Sequence, residues 1–336
     1  MKSILVTGGA GFIGSNFILY ILNKYPKYRV INLDLLTYAG NLDNLSDIKN
    51  DDSYTFIKGD ICDEELVQRI FEDYDIKNVV HFAAESHVDN SIADPKKFIK
   101  TNVEGTFTLL NQAYKNWMEK PFKYKDNYEN SLFLHISTDE VYGSIINGTF
   151  TENSSYAPNS PYSASKASSD LIVRSYNKTY GLNTIITNCS NNFGPRQHSE
   201  KFIPTIIKNA LKGTRIPVYG NGKNVRDWLY VMDHCIALDL IIHKARSGTR
   251  YNIGGDNELE NIELVELICT TLDEILPKQT SYKELISFVE DRYGHDKRYA
   301  INNAKIQVEL GWKPSMSFKE YLSFTIQGYI KMNKGL

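Results

Sequence analysis

Two short groups of residues near the middle of the chain could transfer protons. Thr138-Asp139-Glu140 follow an apolar run, and Tyr162 precedes Lys166 by four residues, a spacing that places both side chains on one face of a helix. A tyrosine is a poor base at neutral pH because its ordinary pKa is about 10. The ammonium of Lys166 and a second positive charge nearby would favour the phenolate, and lowering the pKa to ~7 needs roughly 4 kcal/mol. The pair is therefore predicted to be the base of an alcohol oxidation, with Thr138 bonding the same hydroxyl, unless Tyr162 only packs beside a solvated lysine.

Asp139 and Glu140 add an acid and a base that a simple alcohol oxidation does not need. The apolar run 132–136 is predicted to be a buried strand, and the turn at its carboxyl end could direct both side chains into a cleft. Neighbouring carboxyl groups can have pKa values far apart when their environments differ. One would then be a protonated donor and the other an ionised base, which is the pair that an elimination requires. The alternative is two solvated acids in a loop.

The chain opens with a glycine pattern that is typical of a dinucleotide site. Gly8, Gly11 and Gly14 follow an apolar strand and open a helical pattern, so the turn is tight and the backbone can approach a pyrophosphate. Asp34 ends the next strand, where a carboxylate holds the adenosine ribose and repels a 2′-phosphate. The pattern predicts NAD rather than NADP, and the oxidised nicotinamide ring would supply the second positive charge near Tyr162. The alternative is a turn that merely prefers small residues.

Two further strand ends face the same side of the predicted sheet. Asp60-Ile61 and Ala83-Ala84 end the third and fourth strands, and ligands of such sheets lie outside the carboxyl ends of the strands. Asp60 could touch the adenine or could cap the following segment, and the sequence leaves both possibilities open. The turn 83–85 could line the nicotinamide side of the site, or Ala83 and Ala84 could only pack.

The elements that position these residues follow from the alternation of short apolar runs with helical patterns, which predicts an α/β fold with a doubly wound, Rossmann-type parallel sheet. The strand candidates are 3–6, 29–33, 54–57, 78–82, 132–136 and 183–189, and the helix candidates are 12–24, 63–74, 98–118 and about 161–180. Beyond residue 190 the alternation ends, which predicts a smaller mixed α/β C-terminal lobe. We expect a dinucleotide-binding domain over 1–190, to which some later segments return, and a substrate-binding lobe over 191–336.

Composition excludes several other classes of protein. Hydrophobic residues make up 42% and charged residues 23% of the 336 residues, and the net charge is −2, so nothing indicates a nucleic-acid or anionic-membrane partner. No leader pattern and no apolar run of membrane-spanning length is visible, so we expect a cytoplasmic location. Four widely separated cysteines, Cys62, Cys189, Cys235 and Cys269, predict buried reduced thiols and no metal site.

Taken together, the motifs resemble those of the extended short-chain dehydrogenases/reductases and, within that group, the nucleotide-sugar 4,6-dehydratases. The motifs that carry the resemblance are 7–14, 36–41, 83–89, 137–143, 160–166, 188–192 and 226–228. The resemblance covers nearly the whole chain. The Thr-Asp-Glu triplet at 138–140 separates the dehydratases from relatives that share only the cofactor and Tyr/Lys parts.

The resemblance implies a three-stage reaction on a tightly held NAD. Tyr162, helped by Thr138, takes the proton of the sugar 4-hydroxyl as a hydride leaves C4 for the nicotinamide. The new 4-ketone acidifies C5, where Glu140 removes a proton while Asp139 donates one to the departing 6-hydroxyl. The hydride then returns to C6 and gives a 4-keto-6-deoxy sugar, from which rhamnose and many other deoxysugars are made.

The same resemblance implies ligand contacts and an assembly. Cofactor contacts are implied for Gly8, Gly11, Phe12, Ile13, Gly14, Asp34, Thr37, Asp60, Ile61, Ala83, Ala84, Asn102, Tyr162 and Lys166. Contacts with dTDP-glucose are implied for His87, Thr138 and Asn192 near the sugar, for Asn191, Arg226, Asn261, Arg292 and His295 near the diphosphate, and for Lys201, Pro217 and Tyr219 near the base. A homodimer is implied, joined by helices that include the one carrying Tyr162.

Two other functions remain alternatives to the dehydratase. A 4-epimerase or nucleotide-sugar decarboxylase of the same superfamily would also use the glycine turn, Tyr162 and Lys166, but it needs no acid and base to eliminate a 6-hydroxyl. A non-catalytic NAD sensor would keep the glycine turn and has no need of Tyr162 and Lys166. Asp139 and Glu140 disfavour the first alternative, and the Tyr/Lys pair disfavours the second.

Overall fold

The apolar runs of the sequence form strands. The computed structural model describes residues 2–291 and 296–334, with side chains as far as Lys331. Its strands are β1 (Lys2–Thr7), β2 (Tyr28–Asp34), β3 (Tyr54–Lys58), β4 (Ile76–His81), β5 (Met118–Lys120), β6 (Lys123–Tyr124), β7 (Leu132–Thr138), β8 (Thr184–Cys189), β9 (Asn191–Phe193), β10 (Ile216–Tyr219), β11 (Val225–Tyr230), β12 (Arg250–Ile253), β13 (Glu258–Glu260) and β14 (Ile286–Val289).

Helices lie between most of these strands. They are α1 (Phe12–Lys24), α2 (Glu64–Tyr74), α3 (Val88–Ala93), α4 (Pro95–Phe98), α5 (Gly105–Trp117), α6 (Pro161–Tyr180), α7 (Phe202–Lys212), α8 (Val231–Lys244), α9 (Asn261–Ile275), α10 (Ala304–Leu310) and α11 (Phe318–Lys334). Short 3₁₀ turns cover Leu42–Ile48, Asp139–Tyr142 and Tyr282–Leu285, and Ile99–Glu104 is π-helical. In the part of the chain that the structure describes, no helix combines the length and the apolar character needed to cross a bilayer.

One large sheet positions the sequence motifs. Its strand order is β12-β8-β7-β4-β1-β2-β3, and all neighbouring strands are parallel. Every residue of β7 is buried, as expected for a strand that is covered on both faces. The chain runs outward from β1 to β3 and then returns to β4 on the other side of β1, which creates a switch point where ligands bind in such sheets. The predicted doubly wound, Rossmann-type sheet is confirmed.

Two apolar layers cover the two faces of this sheet. On one face, Phe17 and Ile18 of α1 pack in the same cluster as Leu238 of α8. On the other face, the cluster includes Leu109 of α5 and Val173 of α6. Burial of these apolar stripes against both sides of the strands fixes the helices, and with them the side chains at the strand ends.

A separate apolar core forms the C-terminal lobe. It contains Phe193, Ile206, Ile268 and Leu322, and two small sheets, β13-β11-β9 and β10-β14, belong to this part of the chain. Later segments also return to the large sheet, because β12 pairs with β8 and α8 packs in the same cluster as α1. A domain boundary near residue 190 stays our proposal.

The segment 98–118 differs from its predicted form. The sequence predicts one helix there, whereas the structure has α4, the π-helical turn Ile99–Glu104 and then α5. Extra residues in a helical turn often occur at functional sites. Here the wide turn carries the buried Asn102, whose amide bonds to Glu85 and Ser165 in neighbouring elements. After α5 the chain forms β5 and β6, which pair in a short hairpin.

The four cysteines are free thiols. Cys189, Cys235 and Cys269 are buried, as predicted, but Cys62 is only partly buried. Cys62 lies in the turn after β3, close to the surface, and its thiol donates a hydrogen bond to the carbonyl of Lys100 at 3.4 Å. A turn at a strand end is covered less completely than a strand or helix face, which is why the prediction for this thiol is wrong.

Candidate active site

A cavity of about 490 Å³ lies at the carboxyl ends of the central strands. The five predicted catalytic residues line it: Thr138, Asp139, Glu140, Tyr162 and Lys166. Predicted cofactor residues also line it, namely Gly8, Gly11, Phe12, Ile13, Gly14, Asp34, Thr37, Asp60, Ile61, Ala83 and Ala84. Three predicted substrate residues, Asn191, Asn192 and Lys201, complete this group. The parallel sheet therefore brings the sequence motifs to one place.

The glycines of the turn stand where the Cβ atom of any other residue would crowd neighbouring atoms. Gly8 has a φ of +70°, and a Cβ there would lie 2.6 Å from the backbone nitrogen of Ala83. A Cβ on Gly14 would press against the Gly8 carbonyl and lie 2.8 Å from the Gly9 Cα. Among the described residues, a Cβ on Gly11 would approach only the Gly8 carbonyl oxygen, at 3.3 Å. The turn therefore leaves the amino end of α1 open to the cavity, where backbone N–H groups favour an anion such as a pyrophosphate.

The carboxylate of Asp34 is held in place at the end of β2. It accepts hydrogen bonds from the backbone nitrogens of Ala10 at 2.9 Å and Leu36 at 2.8 Å. Burial raises the pKa of Asp34, and these two hydrogen bonds oppose that shift. A fixed carboxylate beside the glycine turn is suited to accept hydrogen bonds from a ribose diol. The turn and Asp34 together fit NAD.

Asp60 does not cap the helix that follows it. The N-cap of α2 is Asp63, whose side chain accepts from the backbone nitrogen of Leu66. The carboxylate of Asp60 instead accepts from the backbone nitrogen of Cys62 at 2.9 Å and borders the cavity. Of the two possibilities that the sequence leaves open, helix capping is wrong, and contact with an adenine stays a prediction.

Tyr162 and Lys166 lie on the buried side of α6. The ammonium of Lys166 donates to the carbonyl of Ile136 at 2.8 Å, and burial lowers the pKa of Lys166 to about 8, with Asp170 opposing the shift. Burial and the charge of Glu140 raise the pKa of Tyr162 well above its ordinary value, while a hydrogen bond with Thr138 lowers it. The protein's own groups therefore favour the neutral phenol, contrary to the direction expected from Lys166, because the lysine is directed at the Ile136 carbonyl.

The two acids after β7 have different surroundings. Asp139 is 2% exposed, and burial, followed by the charges of Glu140 and Asp227, raises its pKa well above the ordinary value. One Asp139 oxygen accepts from the Thr138 hydroxyl at 3.3 Å, and the other is buried without a hydrogen-bond partner among the described residues. Glu140 is partly exposed and lines the same cavity. The arrangement favours the protonated form of Asp139 beside a second carboxyl group.

Asn102 does not line the cavity. Its side-chain oxygen accepts from the backbone nitrogen of Glu85 at 2.9 Å, and its side-chain nitrogen donates to the Glu85 carbonyl and to the Ser165 hydroxyl. The hydroxyl of Ser165 in turn donates to the carbonyl of Tyr162 at 2.7 Å. The amide thus holds the segment after β4 against α6, and a contact of Asn102 with the cofactor stays a prediction.

Several predicted substrate residues lie away from the cavity walls. His87, Pro217, Tyr219, Arg226 and Asn261 do not line the cavity. Arg226 is buried, its guanidinium lies 4.3 Å from the ring centre of Tyr299, and it donates to the carbonyls of Val225 and Asp296. Tyr219 is partly exposed on β10. Arg292 and His295 lie outside the described residues. The contacts of these residues with a substrate stay predictions.

Lys97, Gln197 and His198 also line the cavity and escape prediction from the sequence. Lys97 forms an ion pair at 2.7 Å with Glu85, which lies in the expected turn 83–85 and lines the cavity as well. Gln197 and His198 border the cavity from the segment after β9. No local sequence pattern marks these three residues. The described residues hold no group of three or more metal-ligand side chains placed around a common point.

Comparison with known proteins agrees with this site. The profile described as GDP-mannose 4,6 dehydratase matches residues 5–325. The chain is 52% identical to a dTDP-glucose 4,6-dehydratase of Salmonella typhimurium, covering 97% of this chain and 92% of that protein. It is 49% identical to the dTDP-glucose 4,6-dehydratase of Xanthomonas campestris pv. campestris strain B100, covering 98% and 93%.

Solved structures show the same relationship. The dTDP-glucose 4,6-dehydratase of Bacillus anthracis in complex with NAD has a TM-score of 0.87 and 47% identity, covering 99% of this chain and 98% of that chain. A UDP-glucose 4-epimerase of Thermotoga maritima has a TM-score of 0.86 at 28% identity, covering 99% and 100%. The epimerase shares the architecture at a much lower identity. By these matches, the chain belongs to the family of dTDP-glucose 4,6-dehydratases, within the wider group that the GDP-mannose 4,6 dehydratase profile describes.

Proposed function

We propose that the protein converts dTDP-glucose into dTDP-4-keto-6-deoxyglucose. The observation that supports this most strongly is the pair of acids after β7. Asp139 and Glu140 line the same cavity as Tyr162 and Lys166, and the buried Asp139 has a raised pKa. An acid and a base beside an alcohol-oxidising pair are what water elimination from a sugar requires.

NAD is the cofactor that this proposal requires. The amino end of α1, opened by Gly8 and Gly11, would bind its pyrophosphate, and Asp34 would bind its adenosine ribose. When bound, NAD would supply an acceptor for the hydride of sugar C4 and a donor of that hydride to C6. The acidic Asp34 lies where the 2′-phosphate of NADP would be, and two backbone hydrogen bonds fix its carboxylate. NAD is therefore favoured over NADP.

Tyr162 removes the proton of the 4-hydroxyl. Its phenol is buried beside the Thr138 hydroxyl, which lowers its pKa through a hydrogen bond, and Thr138 can bond the same substrate oxygen. With a pKa of about 8, Lys166 is mostly protonated at neutral pH and places positive charge on the same face of α6. Burial and Glu140 oppose ionisation of the phenol. Proton removal by Tyr162 therefore depends on two positive charges, the Lys166 ammonium and the oxidised nicotinamide ring that bound NAD would bring into the cavity.

Asp139 and Glu140 act on the 4-keto sugar. A ketone at C4 acidifies the C5 proton, and Glu140 removes it. Asp139 donates its proton to the 6-hydroxyl, which leaves as water. One buried Asp139 oxygen has no hydrogen-bond partner among the described residues, and it is the atom that would face the leaving group. Burial raises the pKa of Asp139 and so favours the protonated form that a proton donor needs.

The C-terminal lobe binds the nucleotide part of the substrate. Asn191, Asn192 and Lys201 border the cavity on this side. Asn192 would contact the sugar, Asn191 the diphosphate and Lys201 the base. Arg226, Asn261, Pro217 and Tyr219 belong to the same lobe, in or beside β10, β11 and α9. We propose that these four residues complete the site for the diphosphate and base when the substrate binds.

The alternatives explain fewer of these features. An epimerase shares the fold but makes no use of a protonated Asp139 beside Glu140. An NAD sensor has no use for a tyrosine and a lysine that are both buried in the cavity wall. Four free cysteines suit a reducing compartment, and we propose that the enzyme acts in the cytoplasm.

The reaction itself gives the direct test of the function. With dTDP-glucose deuterated at C4, the product should have lost one water and carry the label at C6, with solvent hydrogen at C5. No added reductant should be needed, because the cofactor is regenerated within each cycle. Product analysis by mass spectrometry and proton NMR makes the measurement. An isomer of unchanged mass that keeps the label at C4 would indicate an epimerase and contradict the proposal.

Two isosteric variants should separate the first and second stages. Tyr162→Phe should reduce turnover by roughly 10²–10⁴-fold, the usual worth of a general base, while NAD still binds. Glu140→Gln should slow elimination more than oxidation, so reduced cofactor should accumulate on the protein after substrate is added. The absorbance of the reduced nicotinamide, followed after rapid mixing with substrate, measures the reduction of the cofactor in each variant. If Glu140→Gln abolishes cofactor reduction as completely as Tyr162→Phe does, then Glu140 has a different role.

A homodimer joined through α5 and α6 is part of this proposal. Leu171 of α6 is 56% exposed and Phe107 of α5 is 40% exposed, whereas Ala167 is buried and Ile172 packs against the core. We expect Leu171→Asp to convert a dimer into single chains, as measured by light scattering. The matched change Val308→Asp, at an apolar residue exposed on α10, should leave the dimer intact. Equal masses for the parent and both variants would contradict this interface.

A further inference from the structure

The segment 194–201 lies between β9 and α7 of the C-terminal lobe and contacts the first domain beside the cavity, and we call it the bridging segment. Its residues Gln197, His198 and Lys201 line the cavity, and Thr37 and Gly40 line it from the end of β2. The ring of His198 meets the ring of Tyr38 edge-on, with 5.9 Å between their centres. The bridging segment is therefore one wall of the cavity that is predicted to hold NAD.

Arg196 holds an unusual backbone conformation within this segment. Its φ is +69°, in the left-handed region that costs free energy for every residue with a Cβ. Arg196 does not line the cavity. Its guanidinium donates to the carbonyl of Asn44 at 3.1 Å and to the side-chain oxygen of Asn16 at 3.3 Å. The strained backbone thus directs the side chain away from the cavity and onto the first domain.

Both acceptors are themselves tied to the glycine turn. The side chain of Asn44 donates to the Ala10 carbonyl at 3.0 Å. The side chain of Asn16, which is buried in α1, donates to the Phe12 carbonyl at 2.9 Å and to the Pro195 carbonyl at 3.0 Å. The guanidinium therefore links the bridging segment to the turn that would hold the pyrophosphate.

The other end of the bridging segment is tied to the C-terminal lobe. The side chain of Gln197 donates to the Asn192 carbonyl at 2.9 Å, and the hydroxyl of Tyr329 in α11 donates to the Gln197 carbonyl at 3.0 Å. The segment is thus held on both sides. Its lobe side is held by neutral hydrogen bonds. Its domain side is held by the neutral bond from Asn16 to the Pro195 carbonyl and by two bonds from the charged side chain of Arg196, which are the stronger kind.

We propose that Arg196 is a cofactor-retaining residue, which clamps the bridging segment onto the glycine turn and so limits the rate at which NAD leaves. The inference rests on the proposed function, since it assumes that NAD occupies the cavity. A cofactor that is oxidised and reduced within every cycle does not need to leave between turnovers. A clamp that slows its release therefore costs the enzyme no turnover, and it accounts for the strained arginine at a position outside the cavity wall.

The rate of NAD release tests the clamp. The full-length protein is loaded with radiolabelled NAD, chased with an excess of unlabelled NAD, and sampled by rapid filtration. Arg196→Gly removes both charge-assisted hydrogen bonds and relieves the left-handed backbone, so release should be roughly tenfold faster or more, with no drop in melting temperature. Arg196→Lys keeps the charge but loses the planar guanidinium. It should therefore release NAD faster than the parent protein and more slowly than Arg196→Gly. Arg69→Lys, at an exposed arginine of α2, should release NAD at the parent rate.

Each result of the NAD-release experiment tests a different part of the proposal. If the parent holds NAD and Arg196→Gly releases it at the parent rate, the clamp is wrong and the proposed function stands. If Arg196→Gly does not fold, an unchanged rate in Arg196→Lys overturns the clamp. Faster release that accompanies an equal loss of melting temperature in both variants would make Arg196 a purely structural residue. A parent protein that binds no NAD would overturn the proposed function together with the clamp.

Discussion

Two carboxyl groups that are adjacent in the sequence lie at one end of a buried strand, and they cannot both be ionised at little cost. Asp139 is buried and Glu140 borders the open part of the cavity. Burial penalises the charge on Asp139, and the neighbouring Glu140 adds repulsion. Both effects favour the protonated form of Asp139. The proposed elimination depends on this difference, because one group must give a proton while the other takes one.

The central sheet makes this arrangement possible. Every residue of β7 is buried, so the strand delivers the turn that begins at Asp139 to a fixed place. Helix α6 packs beside it, and the bond from Lys166 to the Ile136 carbonyl ties the helix to the same strand. The glycine turn after β1 completes the cavity from the other side. The alcohol-oxidising pair and the two acids thus face one space because parallel strands end at one edge.

The sequence predicts the parts of the site that follow from local rules. The helices 12–24 and 161–180, the strand ends and the glycine turn depend on neighbouring residues, and they are confirmed as α1, α6 and the sheet. The side-chain contacts of Asn102 and Arg226 could not be predicted, because their partners are distant in the chain. The Asn102 amide bonds to Glu85 and Ser165, and the Arg226 guanidinium lies over the ring of Tyr299. The return of β12 to the large sheet is also invisible locally, because a four-residue strand carries little pattern.

Charge and burial also decide what the pattern alone leaves open. A Tyr-x-x-x-Lys spacing suggests a phenolate, yet the protein's own groups raise the pKa of Tyr162. Spacing reports which side chains share a face, whereas ionisation depends on what surrounds them in three dimensions. The most direct test of the account is the protonation state of Asp139, measured by infrared difference spectroscopy between the parent protein and Asp139→Asn. We expect the parent to show a protonated carboxylic acid band that persists through neutral pH and is missing from the variant, whereas a difference spectrum with only carboxylate bands at neutral pH would contradict the account.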